Sequence, residues 1–153
     1  MNIKVPVKSY LKKYYTHLFD SETLRLCSDD ALTKHLFPYL VKHSDQEQKR
    51  AGDFMYLSLT PSIVAEKRMI LNNKGIDALN HALYIGFQQY FYTIMHSRLQ
   101  HGDYIIEAIE HAMQLMNICE NDYSRDSLKK MYYRYNMYFQ QERKVKRNAS
   151  VFR

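Results

Sequence analysis

Apolar and polar positions recur with two different periods along this chain, and the change of period divides it near residue 75. Ile3–Lys8 reads Ile, Lys, Val, Pro, Val, Lys. Period-two alternation predicts a short strand, and Pro6, with no N–H to give to a ladder, puts it at a sheet edge. Ser9 is placed to cap a helix over Tyr10–Phe19, with Leu11, Tyr14, Tyr15 and Leu18 as its apolar stripe and Lys12 and Lys13 toward water. Glu22–Cys27 alternates again and predicts a second strand. Ser28-Asp29-Asp30 is an N-cap signal for a helix toward Val41, which Pro38 should kink or end early. His43–Gly52 is polar and reads as a loop, Phe54–Thr60 as a strand, and Asn72-Asn73-Lys74-Gly75 as a turn. Ile63–Leu71 fits strand and helix equally.

Beyond Gly75 the period becomes helical. Leu79, Leu83, Phe87, Tyr90 and Ile94 recur every three to four residues, and Tyr84, Ile85, Phe91, Tyr92 and Met95 add apolar surface on other sides. A helix apolar nearly all round is usually buried, which makes Ile76–Arg98 the expected central helix. Gln100–Asp103 breaks it. A helix over Tyr104–Cys119 follows, with Ile105, Ile109, Ala112, Met113 and Met116 on one face. Then come the polar connector Glu120–Ser124 and a last helix, capped by Ser124 or Asp126, running to about Gln141. Residues 142–153 are charged and expected to fray. The predicted fold is α+β and mostly helical, in a single domain. A strand-containing part covers about residues 1–72, a helical, helix-turn-helix-like part about 75–141, and a basic tail 142–153.

Composition narrows the class. With four glycines and three prolines in 153 residues, breakers are too scarce for a many-turned β sandwich. Cys27 and Cys119 are too few for a disulfide framework or a four-ligand zinc site, and read as free thiols with apolar neighbours. MNIKVPVKSY lacks the apolar run of a signal peptide, and Ala82–Met95 is too short to span a bilayer. The cytoplasm is the expected location, and no membrane partner is expected.

Charge changes the picture most. The net charge is +6, but Arg125–Arg153 carries nine Lys or Arg against Asp126 and Glu142, a net of +7. The preceding 124 residues hold thirteen basic and fourteen acidic groups, a net of −1. Such asymmetry suggests a basic interaction arm. On the last helix Leu128, Met131, Tyr132, Tyr135 and Tyr138 or Phe139 form the apolar face. Lys129, Tyr133, Asn136, Gln140 and Arg143 follow at steps of four, three, four and three, which aligns them on one stripe, with Lys130, Arg134 and Lys144 beside it. Arg and Lys neutralise phosphates and read guanine edges, and Asn and Gln pair with adenine. Asp103–Ser124 holds five acids and no Lys or Arg, so only the second helix suits phosphates. A helix, a turn and a basic second helix outline a helix-turn-helix, although the connector lacks the glycine common in such turns. A basic terminal helix is more often simply a solvated face, with its tyrosines packing inward.

Two segments, VPVKSYLKKYY and EAIEHAMQLMNICENDYSRDSLKKMYYRYN, together about a third of the chain, resemble short uncharacterised proteins of bacterial prophages and conjugative elements. In those, a helix, an acidic turn of the type E-D-Y-S and an L-K-K-x-Y-Y-R-Y segment recur near the C-terminus. The resemblance implies a mobile-element origin and a regulatory or DNA-handling role. It carries over no catalytic residue.

Other chemistry finds little support. Seven histidines are scattered, and Glu107 with His111, four apart on one helix, reads as an exposed pair. Isolated glycines at 52, 75, 86 and 102 form no phosphate-binding loop. Asp29 and Asp30 stand at a helix start, where they favour the dipole. Noncontiguous acids that converge only in space, as in a nuclease, leave no sequence signature. The expectation is a non-enzymatic DNA-binding protein without a cofactor, with a homodimer as a further expectation. The rival is an interaction or assembly module, because fourteen tyrosines and eight methionines suit an interface as well as a core.

Overall fold

The computed structural model describes residues 2–27, 30–42, 53–59 and 69–151, with side chains described to Gln140 in the last helix. Its fold is α+β, with strands in the N-terminal half and helices toward the C-terminus. The order is β1 (Asn2–Val7), α1 (Ser9–Phe19), β2 (Thr23–Leu26), α2 (Ala31–Leu36), a 3-10 turn (Phe37–Tyr39), β3 (Leu40–Lys42), β4 (Asp53–Leu59), β5 (Met69–Leu71), α3 (Asn73–Gln100), α4 (Ile105–Leu115) and α5 (Arg125–Val151). Two compact units are distinguished, Met1–Tyr90 and Phe91–Arg153, and their boundary falls within α3.

The first unit is built on the period-two pattern. β1 and β2 flank β4, antiparallel and parallel to it respectively. Ile3 opposes Leu57 and Val5 opposes Met55, and all four are at most 3% exposed. Pro6 lies in an edge strand, as its missing N–H requires. β3 and β5 form a separate antiparallel pair. Asn80 of α3 ties β1 to the helix, accepting from Lys8 N at 3.2 Å and donating to the Pro6 carbonyl at 3.0 Å. α1 packs on the same helix, with Tyr10 and Tyr14 edge-on to Phe87 at 5.3 and 5.4 Å.

Several expected boundaries move, each for a local reason. Lys8, not Ser9, stands at the cap of α1, and Leu18 of the expected stripe is 45% exposed. α2 ends at Leu36 because Pro38 has no N–H to give to the carbonyl four residues back, and the chain continues as a 3-10 turn and a strand. Asp30 caps no helix N–H; its carboxylate accepts from Cys27 N at 2.9 Å. Asn72–Gly75 is not a free turn but a helix start. The Asn72 side chain accepts from Gly75 N at 2.9 Å, and its carbonyl accepts from Ile76 N. Glycine is required at 75 by proximity, since a Cβ there would lie 2.6 Å from Tyr39 Cβ. α3 is not buried all round: Leu79, Leu83, Phe87, Phe91 and Met95 line the buried face, while Ile85 and Tyr90 are 39% and 37% exposed. The loop expected over His43–Gly52, Ser28-Asp29, and the stretch 60–68 lie outside the described residues.

Tyr10, Tyr14 and Tyr15 share α1, and burial raises the pKa of all three. Tyr10 and Tyr15 are pushed up to about 12, and Tyr14 higher still with Tyr15 and Tyr90 adding to the effect. The folded chain therefore holds these protons more tightly than the unfolded chain, whose tyrosines ionise near 10. Their contribution to stability is complete below pH 10 and is lost as pH rises toward about 12. The thermal midpoint should fall steadily above pH 10, with tyrosinate absorbance appearing on unfolding. A midpoint flat across that window would contradict the assignment.

Candidate nucleic-acid interface

The second unit positions the basic helix. α4 stops at Leu115, four residues short of the expected Cys119, because Asn117 takes the left-handed conformation (φ 52°). Ile118 N then bonds to the Met113 carbonyl and Asn117 N to that of Gln114, closing a Schellman motif with Ile118 and Met113 both buried. Nine residues, 116–124, therefore separate α4 from α5, against the three or four typical of a helix-turn-helix. Both cysteines are exposed rather than apolar core thiols. Asn117's turn carries Cys119 outward, where its thiol donates to Asp122 at 2.9 Å.

Ser124 caps α5, its Oγ accepting from Ser127 N at 3.2 Å. The carboxylate of Glu120 accepts from Arg125 N, and the Arg125 guanidinium lies 3.6 Å from Glu110. α5 runs on to Val151 rather than fraying at 142, since Glu-Arg-Lys-Val-Lys-Arg contains good helix formers and no breaker. Leu128, Met131 and Tyr132 are buried against the unit, and burial, followed by neighbouring Tyr133 and Tyr135, raises the pKa of Tyr132. Tyr135 stacks on Tyr92 at 3.9 Å, and His96 meets Tyr135 and Phe139 at 5.9 and 6.4 Å. These pairings advance together, so α5 runs parallel to this part of α3. His96 lies four residues from the end of α3 and Phe139 twelve from the end of α5. The basic helix thus outlasts α3 by about eight residues, roughly 12 Å.

The expected site residues separate into three groups. Lys130, Tyr133, Arg134 and Gln140 are exposed. Lys129 and Asn136 are half-buried, because the stripe Lys129-Tyr133-Asn136-Gln140-Arg143 lies to one side of the outward ridge, which passes through Lys130, Arg134 and Met137. The side chains of Arg143 and Lys144 lie outside the described ones. Lys130 pairs with Asp126 at 3.1 Å, both highly exposed, an arrangement worth little in water. Among the described residues Arg134 has no acidic partner.

The C-terminal half of α5 departs from expectation. Of the two alternatives for the end of the apolar face, Phe139 meets His96 and Tyr135, while Tyr138 is 72% exposed, as is Met137 at 60%. α4 has eleven residues against twenty-seven in α5, so it covers only the first turns of the longer helix. The apolar period carried no signal of this, since it places α4 over Tyr104–Cys119, about as long as the helix expected to end at Gln141. Glu107 does not pair with His111; it accepts from Tyr104 N at 2.9 Å and closes a capping box. Among the described residues no group of three or more His, Cys, Asp and Glu is arranged to hold a metal ion, and no helix is long and apolar enough to cross a membrane. Neither a scan of protein-family models nor searches of curated proteins and solved structures return a match to this chain.

Proposed function

We propose that this chain is a non-enzymatic DNA-binding protein, acting in the cytoplasm as a regulator for a phage or mobile element, and that α5 is its contact with duplex DNA. One observation carries the reading: a net charge of +7 is concentrated in residues 125–153, on a helix whose ridge at Lys130 and Arg134 is exposed. Phosphate can compete with Asp126 for Lys130, because both side chains of that ion pair are highly exposed. Gln140 is better exposed for base contacts than Asn136.

The test is duplex binding by titration at several salt concentrations. Affinity should fall with a slope of about −0.9 per phosphate contacted, and replacing Lys130 and Arg134 with alanine should flatten that slope by about two units. Replacing Gln140 should instead reduce discrimination between sequences. No binding at low salt by a folded sample would eliminate the proposal. Exposed Met137 and Tyr138 favour the second reading, a protein-interaction module, which such a result would leave standing.

A further inference from the structure

Two outward faces of the second unit are opposite in charge and alike in apolar character. On α4 and its cap, Tyr104 and Ile106 are 78% and 59% exposed beside the exposed carboxylates of Glu107 and Glu110. On α5, Met137 and Tyr138 stand exposed beside Lys130 and Arg134. Large exposed apolar side chains rimmed by charge mark association surfaces, and Tyr and Met are enriched at their centres.

Charge selects the occupant. Pairing α5 with α5 of a second copy would bring together two segments of +7 each, a repulsion with nothing to offset it. Pairing α5 with α4 of a second copy sets that charge against a stretch, Asp103–Ser124, holding five acids and no Lys or Arg. A two-fold arrangement satisfies both copies at once, since each gives an α5 and receives one on its α4.

We propose that the chain forms a homodimer in which the Lys130–Arg134–Met137–Tyr138 face of α5 seats on the Tyr104–Ile106–Glu107–Glu110 face of α4 in a second copy. The apolar residues supply the burial, and the opposite charges set the register and exclude the α5–α5 pairing. The dimer uses the same Lys130–Arg134 ridge as the nucleic-acid reading, so a second copy and duplex DNA would compete for it; the dimer is measured without nucleic acid, which keeps the two tests separate.

Sedimentation equilibrium of the full chain tests it. A concentration-dependent dimer is expected, with Met137→Asp or Ile106→Asp raising Kd at least about tenfold. Arg134→Glu and Glu110→Lys should each weaken the dimer, and the two changes in one chain should restore it toward the original Kd, because the ion pair is remade with reversed sense. Glu110 also lies near Arg125, so helicity by circular dichroism is measured for each variant. A monomer at all concentrations, a dimer indifferent to these substitutions, or single reversals without rescue by the double would each overturn the proposal.

Discussion

Ending the chain after Gln140 should abolish most duplex DNA affinity while leaving the fold in place. The deletion removes Arg143, Lys144, Lys146, Arg147 and Arg153 together with Glu142, and lowers the charge of the C-terminal segment from +7 to +3. If each of the five lost cations met one phosphate, the salt slope would flatten by up to about 4.5 units, and affinity at low salt would drop by about two orders of magnitude or more. The core is spared: Leu128, Met131 and Tyr132 stay buried, and Tyr135 and Phe139 keep their places beside Tyr92 and His96. Far-ultraviolet circular dichroism should lose only the helical signal of the removed turns. Unchanged affinity and an unchanged slope would take the end of α5 out of the DNA interface.

The largest effect on stability is expected at Gly86. A Cβ at this position would lie 2.5 Å from Tyr15 Oη, which donates a buried hydrogen bond of 2.8 Å to the Leu83 carbonyl. The ring cannot swing aside freely, because Tyr14 packs edge-on at 4.7 Å and Phe19 stacks at 5.9 Å. Gly86→Ala should therefore cost about 1–3 kcal/mol, despite the roughly 1 kcal/mol that alanine gains over glycine within a helix. Tyr15→Phe removes the clashing oxygen at the loss of one hydrogen bond, about 1 kcal/mol. The double variant should come within about 1 kcal/mol of the parent, and the coupling between the two sites should be measurable by urea unfolding. Simple additivity would mean that the contact at Tyr15 Oη is not what glycine accommodates.

Most elements of the fold were legible in side-chain period. β1, β2, β4 and α1 lie within one or two residues of where side-chain period places them, since period reports a buried face directly. Two boundaries and one close approach were illegible because they depend on backbone states or distant atoms. Asn117 in the left-handed region ends α4 early, although nothing in IEHAMQLMNIC breaks the apolar period. Asn72 reads equally as a turn residue and as a helix cap. Gly75 reads as a turn glycine, yet its role is to let α3 approach Tyr39.

The candidate interface divides along the same line. Sequence by itself determined the concentration of +7 on the last segment, the helix that carries it, and the inward set Leu128, Met131 and Tyr132, because charge and period are properties of the chain. Only the tertiary structure decided which residues face outward on α5. The ridge follows Lys130, Arg134 and Met137 rather than the stripe through Lys129 and Asn136, because the direction of packing is set by α3 and α4 and not by α5 alone. Tyr138 is exposed for the same reason. α4 stops after eleven residues, and an aromatic side chain is buried only where a neighbouring element reaches it.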